Sequence, residues 1–155
     1  MTGARVESEH IIIPGPPTTK KNSQVARCIN GRWVIIQSKV YRAYEKAALG
    51  SLGQYRGRRF SGPVEVTVHY WLKDNRRPDL NNLMAATADI LEKAGIIRND
   101  RDIISWDGSR IMGSSPNPRA EITIRAAERV KSIFGEAGTK TTEAGPHGAE
   151  EACRR

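Results

Sequence analysis

The sequence predicts a single α+β domain in which a mixed sheet of about five strands packs with two main helices. Two observations support this prediction. Short runs of alternating apolar and polar residues are typical of half-buried strands, and two longer segments carry apolar residues at helical spacing. With 155 residues, the chain is long enough for one hydrophobic core and short for two domains.

We expect the folded domain to span residues 9–134, between a flexible N-terminus at residues 1–8 and a disordered tail at residues 135–155. No apolar run approaches the ~18 residues that a membrane span needs, and the start of the chain lacks the apolar region of a signal peptide. A cytoplasmic protein without a membrane partner is therefore expected. Cys28 and Cys153 have no metal-ligand spacing around them and should be free thiols.

The domain is predicted to begin with a short strand and a polar loop. The apolar run at residues 10–13 predicts a buried strand, which the Pro-Gly-Pro-Pro sequence at residues 14–17 ends. In the next loop, Lys20, Lys21 and Asn22 provide cationic and amide groups of the kind that contact phosphates. The alternative is an ordinary exposed loop.

A hairpin and a helix are predicted next. Asn30-Gly31 is a strong signal for a two-residue turn and joins segments 26–29 and 32–36. Ser38 is a suitable N-cap for a helix that extends to Leu52. Cations on the outer faces of this helix suit either a DNA backbone or plain exposure to solvent.

The most regular strand leads into the second helix. Residues 64–71 alternate between apolar and polar side chains, which predicts a strand with one buried face. Pro78 and Asp79 favour the start of a helix, because proline has its φ angle pre-set and aspartate is a good N-cap. Apolar residues at helical spacing then continue until Gly95 ends the helix.

The remaining elements are shorter. Residues 103–107 and 110–112 predict one bent strand or two short ones, and residues 119–125 alternate as the last strand of the sheet. A short helix is expected at residues 126–134.

The chain carries 25 Lys and Arg against 17 Asp and Glu, for a net charge of +8. The basic excess lies in residues 1–77, where Lys73, Arg76 and Arg77 join the loop cations as candidates for DNA binding. Such asymmetry favours a polyanionic partner, DNA or RNA, held through its phosphates. The alternative is a basic protein whose cations are merely solvated. Zinc-finger, P-loop, serine-hydrolase and dinucleotide fingerprints are absent, so those enzyme classes are not indicated.

Acidic and amide oxygens bracket the second helix. Asp79 and Asn81 lie at its start and Asp100 lies beyond its end. Oxygen atoms of this kind can hold a metal ion, so the segment predicts a metal site that faces an anionic substrate. A helix of about 15 residues is about 22 Å long, and Asp79 therefore meets Asp100 only if the following strand runs back along the helix.

Two motifs in the chain resemble a known family. One is the Arg-Pro-Asp-Leu-x-Asn-Leu pattern at residues 77–83, followed by Lys-Ala-Gly-Ile-Ile at residues 93–97 and Asp-x-x-Ile at residues 100–103; the other is the opening at residues 14–23. Together they resemble the RusA-like Holliday junction resolvases, the crossover junction endodeoxyribonucleases of phages and prophages. The resemblance covers roughly residues 10–126.

The resemblance implies a homodimeric nuclease that uses Mg²⁺, with Mn²⁺ as a substitute, to cut four-way DNA junctions symmetrically. It implies metal ligands at Asp79, at the position of Asn81 and at Asp100, and a lysine at the position of Ala85. The family pattern has a second aspartate where this chain has Asn81, and it has a lysine where this chain has Ala85.

The change to Asn81 removes a negative charge from the predicted site, because an amide oxygen can bind Mg²⁺ but supplies no charge. Metal affinity and activation of the attacking water should both weaken. Two alternatives therefore remain: a protein that binds branched DNA without cutting it, and a basic interaction protein in which Asp79 only caps the helix. If Asp79 only caps the helix, its removal should lower the stability of the fold. If it also repels other metal-binding carboxylates, its removal should leave the stability unchanged or slightly higher.

Overall fold

Five strands form one mixed sheet and two strands form a separate ribbon in the computed structural model, which describes residues 7–20, 24–55, 57 and 59–127. The main sheet has the order β1-β7-β4-β5, with β6 also paired to β4. Its strands are β1 (Ser8–Pro14), β4 (Val64–Leu72), β5 (Ile103–Ser105), β6 (Arg110–Ser114) and β7 (Arg119–Ala126). The ribbon consists of β2 (Gln24–Ile29) and β3 (Arg32–Gln37), and the helices are α1 (Lys39–Leu52) and α2 (Leu80–Lys93). This confirms the α+β class.

Strand β4 organises the main sheet, because three other strands pair with it. Strand β7 runs antiparallel to β4 along its length, whereas β5 and β6 run parallel to it. Strand β5 pairs with the start of β4 at Val64 and Glu65, and β6 pairs with its last four residues, His69 to Leu72. The chain thus leaves β4 at one end of the sheet and re-enters the sheet as β5 at the other end.

The core lies between one face of this sheet and the two helices. Every second residue of β4 is buried, as the predicted alternation requires. Leu83, Ile90 and Leu91 of α2 are at most 1 % exposed and join the same apolar cluster as the sheet. Helix α1 adds Tyr44, Ala48 and Leu52 to the cluster.

The predicted turns and caps are confirmed. Asn30 and Gly31 both have positive φ angles, 51° and 75°, as a tight hairpin turn requires. The hydroxyl of Ser38 accepts a hydrogen bond from the Tyr41 amide at 3.1 Å and caps α1. Gly95 follows α2 with a φ of 74°, a conformation that glycine adopts without strain.

Three boundaries differ from the prediction or extend it. The first strand begins at Ser8, where it pairs with Arg125. The segment 103–112 forms two strands, because a turn at Asp107 and Gly108 interrupts the sheet. Ala126 is the last residue of β7 and not the first of a helix. The rest of that predicted helix, residues 128–134, and the predicted tail lie outside the described residues.

Two further expectations concern the cysteines and the membrane. Cys28 is a free, exposed thiol, whereas Cys153 lies outside the described residues. Within the described part of the chain, no helix combines the length and apolar character needed to cross a bilayer.

Candidate metal and nucleic-acid site

The start of α2 presents Asp79 in a defined position. Its carboxylate oxygen Oδ1 accepts hydrogen bonds from the backbone amides of Asn81 at 2.8 Å and Asn82 at 3.3 Å. Asp79 is therefore the N-cap that the sequence predicts, and it satisfies two amides that the helix itself leaves unpaired. Both Asp79 and Asn81 are exposed, so their oxygens are accessible to a cation or a ligand.

A cleft of about 610 Å³ adjoins this helix start. The segment between β4 and α2 and the strand β6 line it, and the lining includes Asp74, Arg76 and Arg77. The Arg76 guanidinium forms an ion pair with Asp74 at 3.0 Å. The Arg76 amide, which donates to the same carboxylate, lowers the pKa of Asp74, and the guanidinium charge lowers it further. Arg77 is exposed, as is Lys73 beside the cleft, so three of the predicted DNA-binding cations lie together here.

A second group of carboxylates lies at the far end of α2. The Asp100 amide donates to Glu92 Oε2 at 3.1 Å, which holds Asp100 beside the last turn of the helix. Asp102 accepts a hydrogen bond from Arg98 at 3.3 Å through Oδ1. Its other oxygen, Oδ2, is buried without a hydrogen-bond partner among the described residues. A buried carboxylate oxygen without a partner is a favourable place for a cation or a donor group.

One chain does not bring the predicted metal ligands together. Asp79 and Asn81 share the first turn of α2, but the helical rise places Glu92, and with it Asp100, about 20 Å from Asp79. The following strand does run back toward the start of α2, yet it begins at Ile103, after Asp100. Among residues 7–20, 24–55, 57 and 59–127, no three His, Cys, Asp or Glu side chains are grouped to hold a metal. The ligand chemistry fits Mg²⁺, but the arrangement in a single chain does not.

A cation from the N-terminal loop reaches the exposed side of α2. Lys20 Nζ lies 2.6 Å from Asp89 Oδ2. Asp89 is one helical turn beyond Ala85, which is itself exposed and one turn beyond Asn81. Lys20 thus lies near the position where the family pattern has a lysine. Lys93, in contrast, pairs with Glu45 of α1, and Lys21 and Asn22 lie outside the described residues.

Sequence reasoning did not find Glu92 or the pair of Lys20 with Asp89. Glu92 reads as an ordinary polar residue near a helix end, and its hydrogen bond to Asp100 depends on the path of the chain after Gly95. The pair joins residues that are 69 positions apart. No local spacing carries information about such a contact.

Asp79→Ala is expected to lower the free energy of unfolding by about 1 kcal/mol, because two amides at the start of α2 lose their acceptor. Asp79→Asn retains an oxygen acceptor and should lose much less. Urea denaturation measures both changes. Ser38→Ala, which removes the cap of α1, is the matched control and should resemble Asp79→Ala. An Asp79→Ala protein as stable as the unmodified one would show that relief of charge repulsion outweighs the lost cap.

Comparison with known proteins supports the same assignment as the motifs. The family model described as endodeoxyribonuclease RusA matches residues 14–125. A crossover junction endodeoxyribonuclease RusA from Enterobacteria phage 82 is 30% identical over 116 residues, which cover 74% of this chain and 92% of the phage protein. The family-model match includes the N-terminal loop, both helices and the segments that carry Asp79, Asn81 and Asp100. The chain belongs to the RusA endodeoxyribonuclease family.

Proposed function

We propose that this protein is a metal-dependent endodeoxyribonuclease that resolves four-way DNA junctions by symmetric hydrolysis of phosphodiester bonds. The observation that carries the proposal is the start of α2, where the exposed oxygens of Asp79 and Asn81 adjoin a cleft lined by Arg76 and Arg77. Oxygen ligands suit a divalent cation, and adjacent guanidinium groups suit a phosphate. Metal-assisted hydrolysis of a phosphodiester uses both kinds of group.

In this proposal, Asp79, Asn81 and Asp100 would hold Mg²⁺ or Mn²⁺. When bound, the cation supplies a Lewis acid and lowers the pKa of a water molecule. The two amides that Asp79 caps bind its Oδ1, which leaves Oδ2 available to a cation. Lys73, Arg76 and Arg77 hold the DNA backbone beside these oxygens, and Lys20 supplies the cation that Ala85 does not.

We further propose that the active form is a homodimer. Asp100 is about 20 Å from Asp79 in one chain, so a complete set of ligands requires a second chain. A two-fold axis would bring the start of one α2 toward the Asp100 region of the other, and it would create two equivalent sites. Two sites related in this way could each cut one of two junction strands that have the same polarity.

Asn81 favours a second function, in which the protein binds junctions but cuts them poorly. The amide retains the shape of the aspartate in the family pattern but not its charge. Either function places the protein in DNA recombination or repair, in the cytoplasm of a bacterial or phage-infected cell, where branched DNA forms.

The test uses a labelled four-way junction and a linear duplex of the same sequence. In the presence of EDTA, the protein should bind the junction more tightly than the duplex. In Mg²⁺ or Mn²⁺, it should release symmetric cleavage products, slowly because of Asn81. Arg77→Ala should weaken binding to both DNAs and reduce the salt dependence of the binding constant by about one phosphate contact. Arg125→Gln is the control, because it removes an exposed cation on β7, and it should bind as the unmodified protein does. Equal binding to both DNAs without metal-dependent cleavage would contradict the proposal.

A further inference from the structure

The ribbon formed by β2 and β3 is exposed on both faces. In the described part of the chain, it pairs with no strand of the main sheet, and every residue from Gln24 to Ile35 is exposed. An isolated two-stranded hairpin is at best marginally stable in water. A ribbon that nonetheless carries large apolar side chains is suited to bind a partner.

One face of the ribbon is apolar. Residues that are opposite each other in the register share a face, so Trp33 lies with Cys28, and Ile35 lies with Ala26. Trp33 is 77 % exposed and Ile35 is 69 % exposed. This face therefore presents an indole ring to solvent beside a small apolar surface.

The opposite face combines two arginines with four aliphatic side chains and borders a cavity. Arg27 of β2 lines this cavity of about 250 Å³ together with Lys39 and Arg42 from the first turn of α1. None of these three cations forms an ion pair with a described residue. The chain has no Asp or Glu between Gln24 and Tyr44, so the whole region is positively charged. We call these three side chains and their cavity the cationic pocket.

The charge distinguishes between two occupants of this surface. A second copy of the chain, docked by two-fold symmetry through the face that carries Arg27, would place its own arginines and lysines against these cations. A nucleic acid instead offers phosphates for the cationic pocket and base faces for Trp33. Aromatic rings bind bases by stacking, and the strength of this contact depends little on sequence. The charge complementarity therefore favours a nucleic acid.

We propose that the ribbon is a second DNA-binding element that recognises the branch point of the substrate. The cationic pocket holds a backbone phosphate of one strand, and Trp33 stacks on a base that is exposed where the strands separate. Because the two groups lie on opposite faces of the ribbon, they contact two diverging strands. A continuous duplex offers no exposed base face within its stack. The branched nature of the substrate rests on the proposed function, whereas the ribbon lies outside the proposed catalytic site.

The experiment measures binding of the 155-residue protein to a four-way junction and to a matched linear duplex, both in EDTA so that no cleavage is needed. Trp33→Ala is expected to weaken junction binding about tenfold and to leave duplex binding nearly unchanged. Trp33→Phe retains an aromatic ring and should restore most of the affinity. Arg27→Ala, Lys39→Ala and Arg42→Ala together should weaken binding to both DNAs and lower the salt dependence. Arg125→Gln is again the control.

The same samples are examined by sedimentation and thermal unfolding. The proposal requires that Trp33→Ala leave the oligomeric state and the melting temperature unchanged, because the exposed ring packs in no core. A loss of dimer in Trp33→Ala would show that the apolar face binds a second chain, and would overturn the proposal. Equal losses on junction and duplex would also overturn it, since stacking at a branch point predicts selectivity. Failure of metal-dependent cleavage alone would contradict the proposed function and not this inference.

Discussion

Asn81→Asp is expected to increase the rate of junction cleavage in Mg²⁺ by about 100-fold at low metal concentration. Asn81 is exposed in the first turn of α2, two residues after Asp79. A carboxylate at this position adds a negative charge beside the proposed cation site. Two unit charges 4 Å apart interact by about 4 kcal/mol at an effective dielectric constant of about 20. If roughly two thirds of that energy lowers the activation barrier, the cleavage rate rises about 100-fold.

The measurement is single-turnover cleavage of the labelled junction over a series of Mg²⁺ concentrations. Most of the gain should come as a lower Mg²⁺ requirement, since the new charge acts on the cation. Asn82→Asp is the matched control, because it adds the same charge to the same helical turn and benefits equally from the helix dipole. If the two variants cut equally well, charge at the helix start and not a metal ligand explains the effect. If neither variant cuts, the protein is a junction-binding protein.

The fold could largely be predicted from the sequence, because its main elements depend on local chemistry. The turn at Asn30 and Gly31, the caps at Ser38 and Asp79, and the alternation in β4 each arise from neighbouring residues. For residues 103–112, periodicity predicts either one bent strand or two short ones. Its division into β5 and β6 depends on where β4 offers free backbone groups, which periodicity does not show.

The candidate site could be predicted only in part. The sequence places Asp79 and Asn81 together, since they occupy one helical turn, and it places Asp100 after the helix. Whether Asp100 returns to Asp79 depends on the direction of the chain after Gly95, and the structure shows that it stays beside Glu92. The contact of Lys20 with Asp89 likewise joins distant parts of the chain. Both results depend on tertiary structure, which a motif does not encode.

The separation of the proposed metal ligands Asp79 and Asp100 predicts a second large effect, the recovery of activity from two inactive proteins. Asp79→Asn and Asp100→Asn, each made in the Asn81→Asp background, should separately abolish metal-dependent cleavage. When the two proteins are unfolded together and refolded as a mixture, about half of the dimers contain one chain of each kind. If Asp79 of one chain works with Asp100 of the other, each such dimer has one complete site, and roughly a quarter of the activity returns.

The reciprocal mixture distinguishes this arrangement from a site within one chain. A chain that carries both Asp79→Asn and Asp100→Asn is refolded with an equal amount of the Asn81→Asp protein. If the sites are shared between chains, mixed dimers are inactive, and the mixture keeps about a quarter of the activity of the same total amount of Asn81→Asp protein. If each site lies within one chain, it keeps about a half of that activity. Sites within one chain also predict no recovery in the first mixture. Because Asp79 and Asp100 lie at opposite ends of a rigid 14-residue helix, we expect shared sites. Metal binding would then depend on dimer formation, and a single chain would bind the junction without the ligands needed to cut it.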